Sequence, residues 1–312
     1  VGGHSLAVWL GFTGLVLALL VIDLGVLNRR GHVLGMKEAA SWSAGLITLA
    51  LLFGGFIWWM EGAQKALEYY TGYLIELSLS VDNLFVFILL FQYFGVPAVA
   101  QPKVLKWGII GAIVMRAIMI AIGALLLERF HWIIYVFGGI LVITGIRMLL
   151  RRDLEVHPEK NPIVRLAKRV LPIDPSYNED KFTCRTVTGK RYFTPLILVI
   201  LMVEWSDLVF AIDSIPAIFA VTRDPFIVYS SNVFAILGLR ALFFVLAGAM
   251  DRFHYLKAGV SMILIFIGGK MVASGWFKVP TPVALGAIVG ILALAVGASL
   301  LRPRRDAPAT SG

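Results

Sequence analysis

The sequence has a single cysteine, Cys184, in 312 residues. That excludes an internal disulfide and any metal site built from several thiolates. Charge is scarce as well: Asp, Glu, Lys and Arg make up 15% of the chain, against 59% hydrophobic residues. A soluble domain carries about 25% charged residues, so the composition excludes an ordinary cytosolic enzyme. Acids are the scarcer sign, 19 against 28 Lys and Arg, which leaves a formal charge of +9. No basic stretch is interleaved with stacking aromatics, so nucleic acid is not an expected partner. In a membrane protein such a surplus belongs in cytoplasmic loops. The five histidines (4, 32, 131, 157 and 254) fall in loops or at the edges of apolar runs. The sequence has no Gly-rich Lys-Ser/Thr loop for ATP. It also offers no Ser/His pair or activated thiol inside the apolar runs, so a non-enzyme without a cofactor is expected.

What the chain has is apolar sequence, with a mean hydropathy of +0.86, in runs long enough to cross a bilayer. About 20 residues suffice for that. Nine runs fall near 6–27, 41–60, 69–94, 105–127, 131–150, 194–221, 227–250, 255–275 and 281–301. The first lacks a basic leading region and a small-residue cleavage site, and reads as a retained helix rather than a signal peptide. Trp58, Trp59, Tyr69, Tyr70, Tyr73, Trp132, Tyr135 and Trp276 gather near the ends of the runs, as in an interfacial belt. The expected fold class is an all-α polytopic membrane protein with about nine transmembrane helices. With the N-terminus outside, twenty of the 28 basic residues fall in cytoplasmic segments and only four outside. The positive-inside rule therefore selects that orientation, with a cytoplasmic C-terminus. Residues 151–193 read as a cytoplasmic loop with one short amphipathic helix near 163–171, because prolines punctuate it. The tail 302–312 reads as disordered.

An internal repeat is visible at an offset of 123 residues. Arg129-Phe130-His131-Trp132 answers Arg252-Phe253-His254-Tyr255, and Gly145-Ile146-Arg147-Met148 answers Gly268-Gly269-Lys270-Met271. Arg116 in the fourth run answers Arg240 in the seventh. Upstream, Glu76-x5-Asp82-Asn83 answers Asp207-x5-Asp213-Ser214. Runs three to five thus resemble runs six to eight, and an odd number of crossings inverts the two halves. Inverted three-helix repeats are a recurring transporter architecture, with the substrate near the midplane. The expected organisation is two N-terminal helices (1–68), repeat one (69–150), the loop (151–193), inverted repeat two (194–275), then a ninth helix and basic tail (276–312).

Five acids lie inside the third and sixth runs: Glu76, Asp82, Glu204, Asp207 and Asp213. Each costs at least ~2.5–3.5 kcal/mol at a helix centre, so intramembrane acids are functional candidates by default. Arg116 and Arg240 can compensate two of them, which leaves three for protons or a bound cation. The neighbouring donors are oxygens: the Asn83 amide and the hydroxyls of Ser78, Ser80, Ser206 and Ser214. Oxygen ligands suit magnesium, calcium or manganese rather than zinc or copper. Helical geometry divides the set. Glu204, Asp207 and Ser214 fall within about 80° of arc, with Asp213 on the opposite side. Glu76, Ser80 and Asn83 share a face, with Asp82 ~120° from Glu76. Pro216 frees the carbonyl of Ile212 and is expected to break the sixth run, which would expose backbone oxygen to a cation.

These acidic motifs, on hydrophobic spans within an inverted repeat, resemble the TerC/Alx family of integral membrane proteins over nearly the whole chain. The resemblance implies a bacterial inner-membrane protein related to the LysE-type exporters, with links to manganese export and to tellurium-resistance loci. It leads to a secondary transporter moving a divalent cation, manganese, out of the cytoplasm, with protons as the counter-ion. Glu76, Asp82, Glu204, Asp207 and Asp213 would be metal ligands or proton carriers. Asn83 and Ser214 would be neutral ligands, and Arg116 and Arg240 would compensate charge. The alternative is a non-transporting membrane scaffold of tellurium-resistance or stress-response complexes, acting through the 151–193 loop.

Overall fold

The computed structural model describes residues 4–26, 36–130, 132–150, 161–173, 181–185, 191–247, 255–277 and 279–301. The tail 302–312 and most of the long loop lie outside the described residues. Among those described there are ten α-helices: α1 (Leu6–Val26), α2 (Met36–Glu61), α3 (Ala63–Tyr93), α4 (Gln101–Arg129), α5 (Ile133–Leu150), α6 (Pro162–Val170), α7 (Leu196–Phe219), α8 (Pro225–Ala247), α9 (Leu256–Val272) and α10 (Thr281–Leu301). Each apolar run of the sequence falls on one of them. The protein is an all-α polytopic membrane protein. By length and composition, six helices can cross a bilayer: α2, α3, α4, α5, α9 with the 3₁₀ turn that extends it, and α10.

Local chemistry sets the helix ends. Gly62, at φ 89, separates α2 from α3 in a conformation that only glycine adopts cheaply. Gly95, at φ 60, ends α3, and the Val96 N–H bonds back to the Phe91 carbonyl at 2.9 Å. That is the six-to-one closure that satisfies a helix's last carbonyls. At 31 residues, α3 is about 46 Å long, more than the ~30 Å hydrocarbon core. Its first two turns, with Lys65 and Glu68, therefore reach the interface.

Helix α3 is the centre of the bundle. Its apolar stretch is 75% buried, whereas those of α2, α5 and α10 are 22% buried. It packs against α2, α7, α8 and α10, and α4 packs against both α7 and α8. Rings of Phe12, Phe53, Tyr69, Phe226 and Phe234 join α1, α2, α3 and α8, with centroids 4.9–6.4 Å apart. Large apolar side chains such as Leu6, Trp59, Leu125, Leu294 and Trp276 face outward, as lipid-facing positions do.

Helices α5 and α9 form the closest pair. A Cβ on Gly138 would lie 2.9 Å from the Gly268 carbonyl oxygen, and one on Gly268 would lie 2.6 Å from that of Gly138. Gly145 is set against Ser261 in the same way, 2.8 Å from its carbonyl. The helices are therefore antiparallel. At the 123-residue offset, Gly145 corresponds to Gly268 and Gly138 to Ser261.

Two features depart from the sequence-based expectations. The loop holds the amphipathic helix, capped by the Asn161 side chain accepting from the Ile163 N–H at 2.8 Å. It also holds an antiparallel hairpin of β1 (Thr183–Arg185) and β2 (Arg191–Phe193), tied to α4 by Lys103 over the Phe182 ring. The break expected at Pro216 is absent, since α7 runs unbroken from Leu196 to Phe219. Pro216 sits in its last turn, and its carbonyl still accepts from the Ala220 N–H at 3.0 Å. A proline so near the end removes one bond without a long helix beyond it to bend.

Candidate functional site

Arg116 lies midway along α4 and is 1% exposed. Its guanidinium reaches two other helices. One Nη1 proton faces Glu76 on α3 as an ion pair, and Nη1 also donates to Ser214 Oγ on α7 at 3.4 Å. Nε donates to Asp207 Oδ2 at 3.3 Å and Nη2 to Asp207 Oδ1 at 3.1 Å. The Asn83 amide adds a third donor to Asp207, Nδ2 to Oδ1 at 3.3 Å. The planar fork of an arginine matches a carboxylate in this way, and a lysine would not. Four of the sequence-selected residues, Glu76, Asn83, Asp207 and Ser214, are thus gathered around one of the two selected arginines.

The gathering leaves oxygens without partners. Among the described residues, Glu76 Oε2, Ser80 Oγ and Asn83 Oδ1 are buried and lack a hydrogen bond. All three sit on one face of α3, at i, i+4 and i+7. A buried unsatisfied polar group costs about 1–3 kcal/mol. Three on one face therefore point to a ligand, either water or a cation, because each is a free acceptor. Glu76 and Asp207 against Arg116 also leave one negative charge in excess.

Asp213 is elsewhere, on the other side of α7, where it accepts from Thr144 Oγ1 of α5 at 2.9 Å. It lines a 340 Å³ cavity together with Asn83, Ser214, Arg147 and Lys257. Arg147 ends α5 and Lys257 begins α9, so the cavity reaches from the α6 end of the bundle to the edge of the Arg116 cluster. Glu204 is one turn before Asp207, and its carboxylate packs on Gly111 of α4, where a Cβ would require that carboxylate to move. Neighbouring Gly108 and Gly123 likewise admit Val203 and Phe219 of α7, so small residues let the two helices approach closely. The side chains of Asp82, on α3, and Arg240, on α8, lie outside the described residues.

Two polar groupings escaped the sequence reading. Asn232 on α8 is fully buried, and neither its Oδ1 nor its Nδ2 has a partner. The run Ser230-Ser231-Asn232 inside an apolar helix was the available signal. His4, Glu61 and Asp224 meet at the end of the bundle opposite α6, and nothing in their spacing announces it.

A buried charge cluster at the junction of three helices, inside a lipid-facing bundle, defines a polytopic membrane protein with a polar intramembrane site. Residues 61–307 match the integral membrane protein TerC family, and the chain belongs to that family. A membrane protein of Myxococcus xanthus is 50% identical over 300 residues, covering 96% of this chain and 94% of its own. The Alx protein of Escherichia coli (strain K12) is 48% identical over 295 residues, 92% of each chain, and its name proposes a membrane-bound redox modulator. A membrane protein of Rickettsia felis is 42% identical over 294 residues, 94% of this chain and 97% of its own. No solved structure matches the chain.

Proposed function

We propose that the protein is a secondary transporter that carries a divalent cation, manganese, out of the cytoplasm in exchange for protons. The observation that carries this reading is the row of partnerless buried oxygens, Glu76 Oε2, Ser80 Oγ and Asn83 Oδ1, beside carboxylates held by Arg116. Hard divalent cations take carboxylate, amide and hydroxyl oxygens. The ligands proposed at Arg116 are Glu76, Asn83, Asp207 and Ser214; Asp82, Glu204 and Asp213 are assigned as further metal ligands or proton carriers, with Arg116 and Arg240 holding acids that are not ligated. A cation binding Glu76 and Asp207 takes the oxygens that Arg116 uses, so the two compete. The cavity beside Asp213 serves as the approach from the α6 side.

The same reading has nine crossings, the N-terminus outside, and two inverted halves in the bacterial inner membrane, related to the LysE-type exporters. The antiparallel packing of α5 on α9, the third helix of each half, supports the inversion. Manganese flux into proteoliposomes tests the function. The parent protein takes up manganese when the lumen is made acidic, protons leaving as manganese enters, and Asp82→Asn and Asp213→Asn each lower the flux at least tenfold. Parent-like flux in both variants overturns the ligand assignment, and no flux in the parent overturns the transporter.

A second reading, a membrane scaffold, draws on α6. Its Val164 and Ala167 are buried while Leu166 and Val170 are 62% and 67% exposed, an apolar edge offered to a partner. Removing residues 161–193 separates the two: a transporter keeps its flux, whereas a scaffold loses its partner and is indifferent to the carboxylates. A redox role would also run through a partner, since Cys184 has no second thiol in the chain to pair with.

A further inference from the structure

The end of the bundle opposite α6 carries a second polar constellation, more than a helix turn beyond any residue assigned above. His4 precedes α1, Glu61 ends α2, and Asp224 lies in the turn between α7 and α8. His4 Nδ1 is 3.5 Å from Glu61 Oε1. His4 Nε2 is 3.2 Å from Asp224 Oδ1 and 3.1 Å from Oδ2, bisecting the carboxylate. A neutral imidazole has one N–H and one lone pair. Either the ring is protonated and donates to both carboxylates, or one carboxylate meets a lone pair that a bound cation would take up.

The positive charge at hand does not balance the group. Lys65 Nζ is 3.1 Å from Asp224 Oδ2 and equally 3.1 Å from Glu68 Oε2, so its charge is shared. Among the described residues, Glu61, Glu68 and Asp224 against Lys65 leave an acidic surplus whether or not His4 carries a proton, which a divalent cation would offset. A metal takes one nitrogen of an imidazole, so the two contacts above, made through different nitrogens, are not both coordination distances. Ligands about 2.0–2.2 Å from a tetrahedral zinc lie roughly 3.3–3.5 Å from one another. One ligand atom from each of the three residues already lies within 4.8 Å of the other two.

The surroundings hold the ligands in place. Phe226 packs on the imidazole with ring centroids 4.7 Å apart. Asp224 is anchored by the Phe226 N–H at 3.0 Å, and its own N–H donates to Thr222 Oγ1 at 3.2 Å. The three ligand side chains are 12%, 20% and 14% exposed, which is open enough for entry and closed enough to exclude bulk water.

We propose that His4, Glu61 and Asp224 form a binding site for a divalent transition-metal ion, zinc by preference, on the face of the membrane opposite α6. One imidazole and two carboxylates with a remaining open position suit zinc, whereas the all-oxygen cluster around Arg116 does not. An ion there joins the start of the chain to the end of α2 and the α7–α8 turn. The site stands whether or not the chain transports manganese.

The test is zinc titration calorimetry on the whole chain in detergent. One zinc equivalent is expected, lost in His4→Ala and weakened at least tenfold in Glu61→Gln. Cobalt bound in place of zinc gives the visible absorption of a four-coordinate site, and His4→Ala abolishes it. Thermal unfolding in chelator shows that both variants remain folded. Zinc binding that is unchanged in folded His4→Ala overturns the site. So does no zinc equivalent in the parent, which would leave His4 as an ion-pair latch only.

Discussion

Arg116 grips Asp207 with two nitrogens, Nε 3.3 Å from Oδ2 and Nη2 3.1 Å from Oδ1. Removing one partner of such a buried pair strands the other, at a cost of about 3–5 kcal/mol. Arg116→Gln is therefore expected to lower the thermal midpoint in detergent sharply. Under the transporter proposal, manganese then restores more stability to the variant than it adds to the parent, because the competing cation has gone. Thermal unfolding with and without manganese reads both effects. A variant as stable as the parent would show that the pair contributes nothing.

The α5–α9 contact makes a sharper contrast. A Cβ on Gly268 meets the Gly138 carbonyl at 2.6 Å and the Val142 nitrogen at 2.8 Å, while one on Gly269 meets nothing within 4 Å. Gly268→Ala is expected to destabilise by about 1–3 kcal/mol, as overpacking does. Gly269→Ala should be neutral or slightly stabilising, since alanine is the better helix former. Equal midpoints for the two variants would refute the close approach.

Much of this was legible beforehand, and the limits have physical causes. The apolar runs marked the helices because a bilayer demands long apolar segments. The charges of Glu76, Asp207 and Arg116 stood out because they are costly there. Which acid Arg116 would choose was not legible, since helix-wheel angles place Glu76 and Asp207 on faces without saying how the helices are rotated together. The β1–β2 hairpin has strands of three residues, too short for an alternating pattern to register. His4, Glu61 and Asp224 are separated by 57 and 163 positions, so only the assembled bundle brings them together.

Under the transporter proposal, manganese affinity should depend on pH. Carboxylate ligands must be deprotonated to bind, so the metal displaces protons and its affinity rises with pH. Apparent affinity measured between about pH 5.5 and 8.5, with proton release followed in weak buffer, checks this. A flat profile with no released proton would mean that the metal binds carboxylates which are already ionised throughout.

Asp224 makes a separate prediction at acid pH. Burial opposes its charge, but hydrogen bonds from His4 and Lys65 and their charges outweigh it and hold its pKa below the ordinary value. A depressed carboxylate contributes stability above its unfolded pKa of ~3.9 and loses it as pH falls through the folded value. Asp224→Asn, compared with the parent in chelator, should cost up to about 1 kcal/mol at neutral pH, the scale of a partly exposed pair. The gap should close only below about pH 4. A gap that persists unchanged in strong acid would assign the loss to packing or to the α8 cap.

Arg116 also bears on how the chain is made. Structural metal sites tie folding to metal supply, because their ligands repel one another until the ion arrives. Here an arginine carried on α4 does that work from within, so α3, α4 and α7 can assemble in the bilayer before any ion is bound. Under the transporter proposal, a cell starved of metal would still build the protein intact, and scarcity of the ion would govern how often the site is used rather than how much of the protein exists.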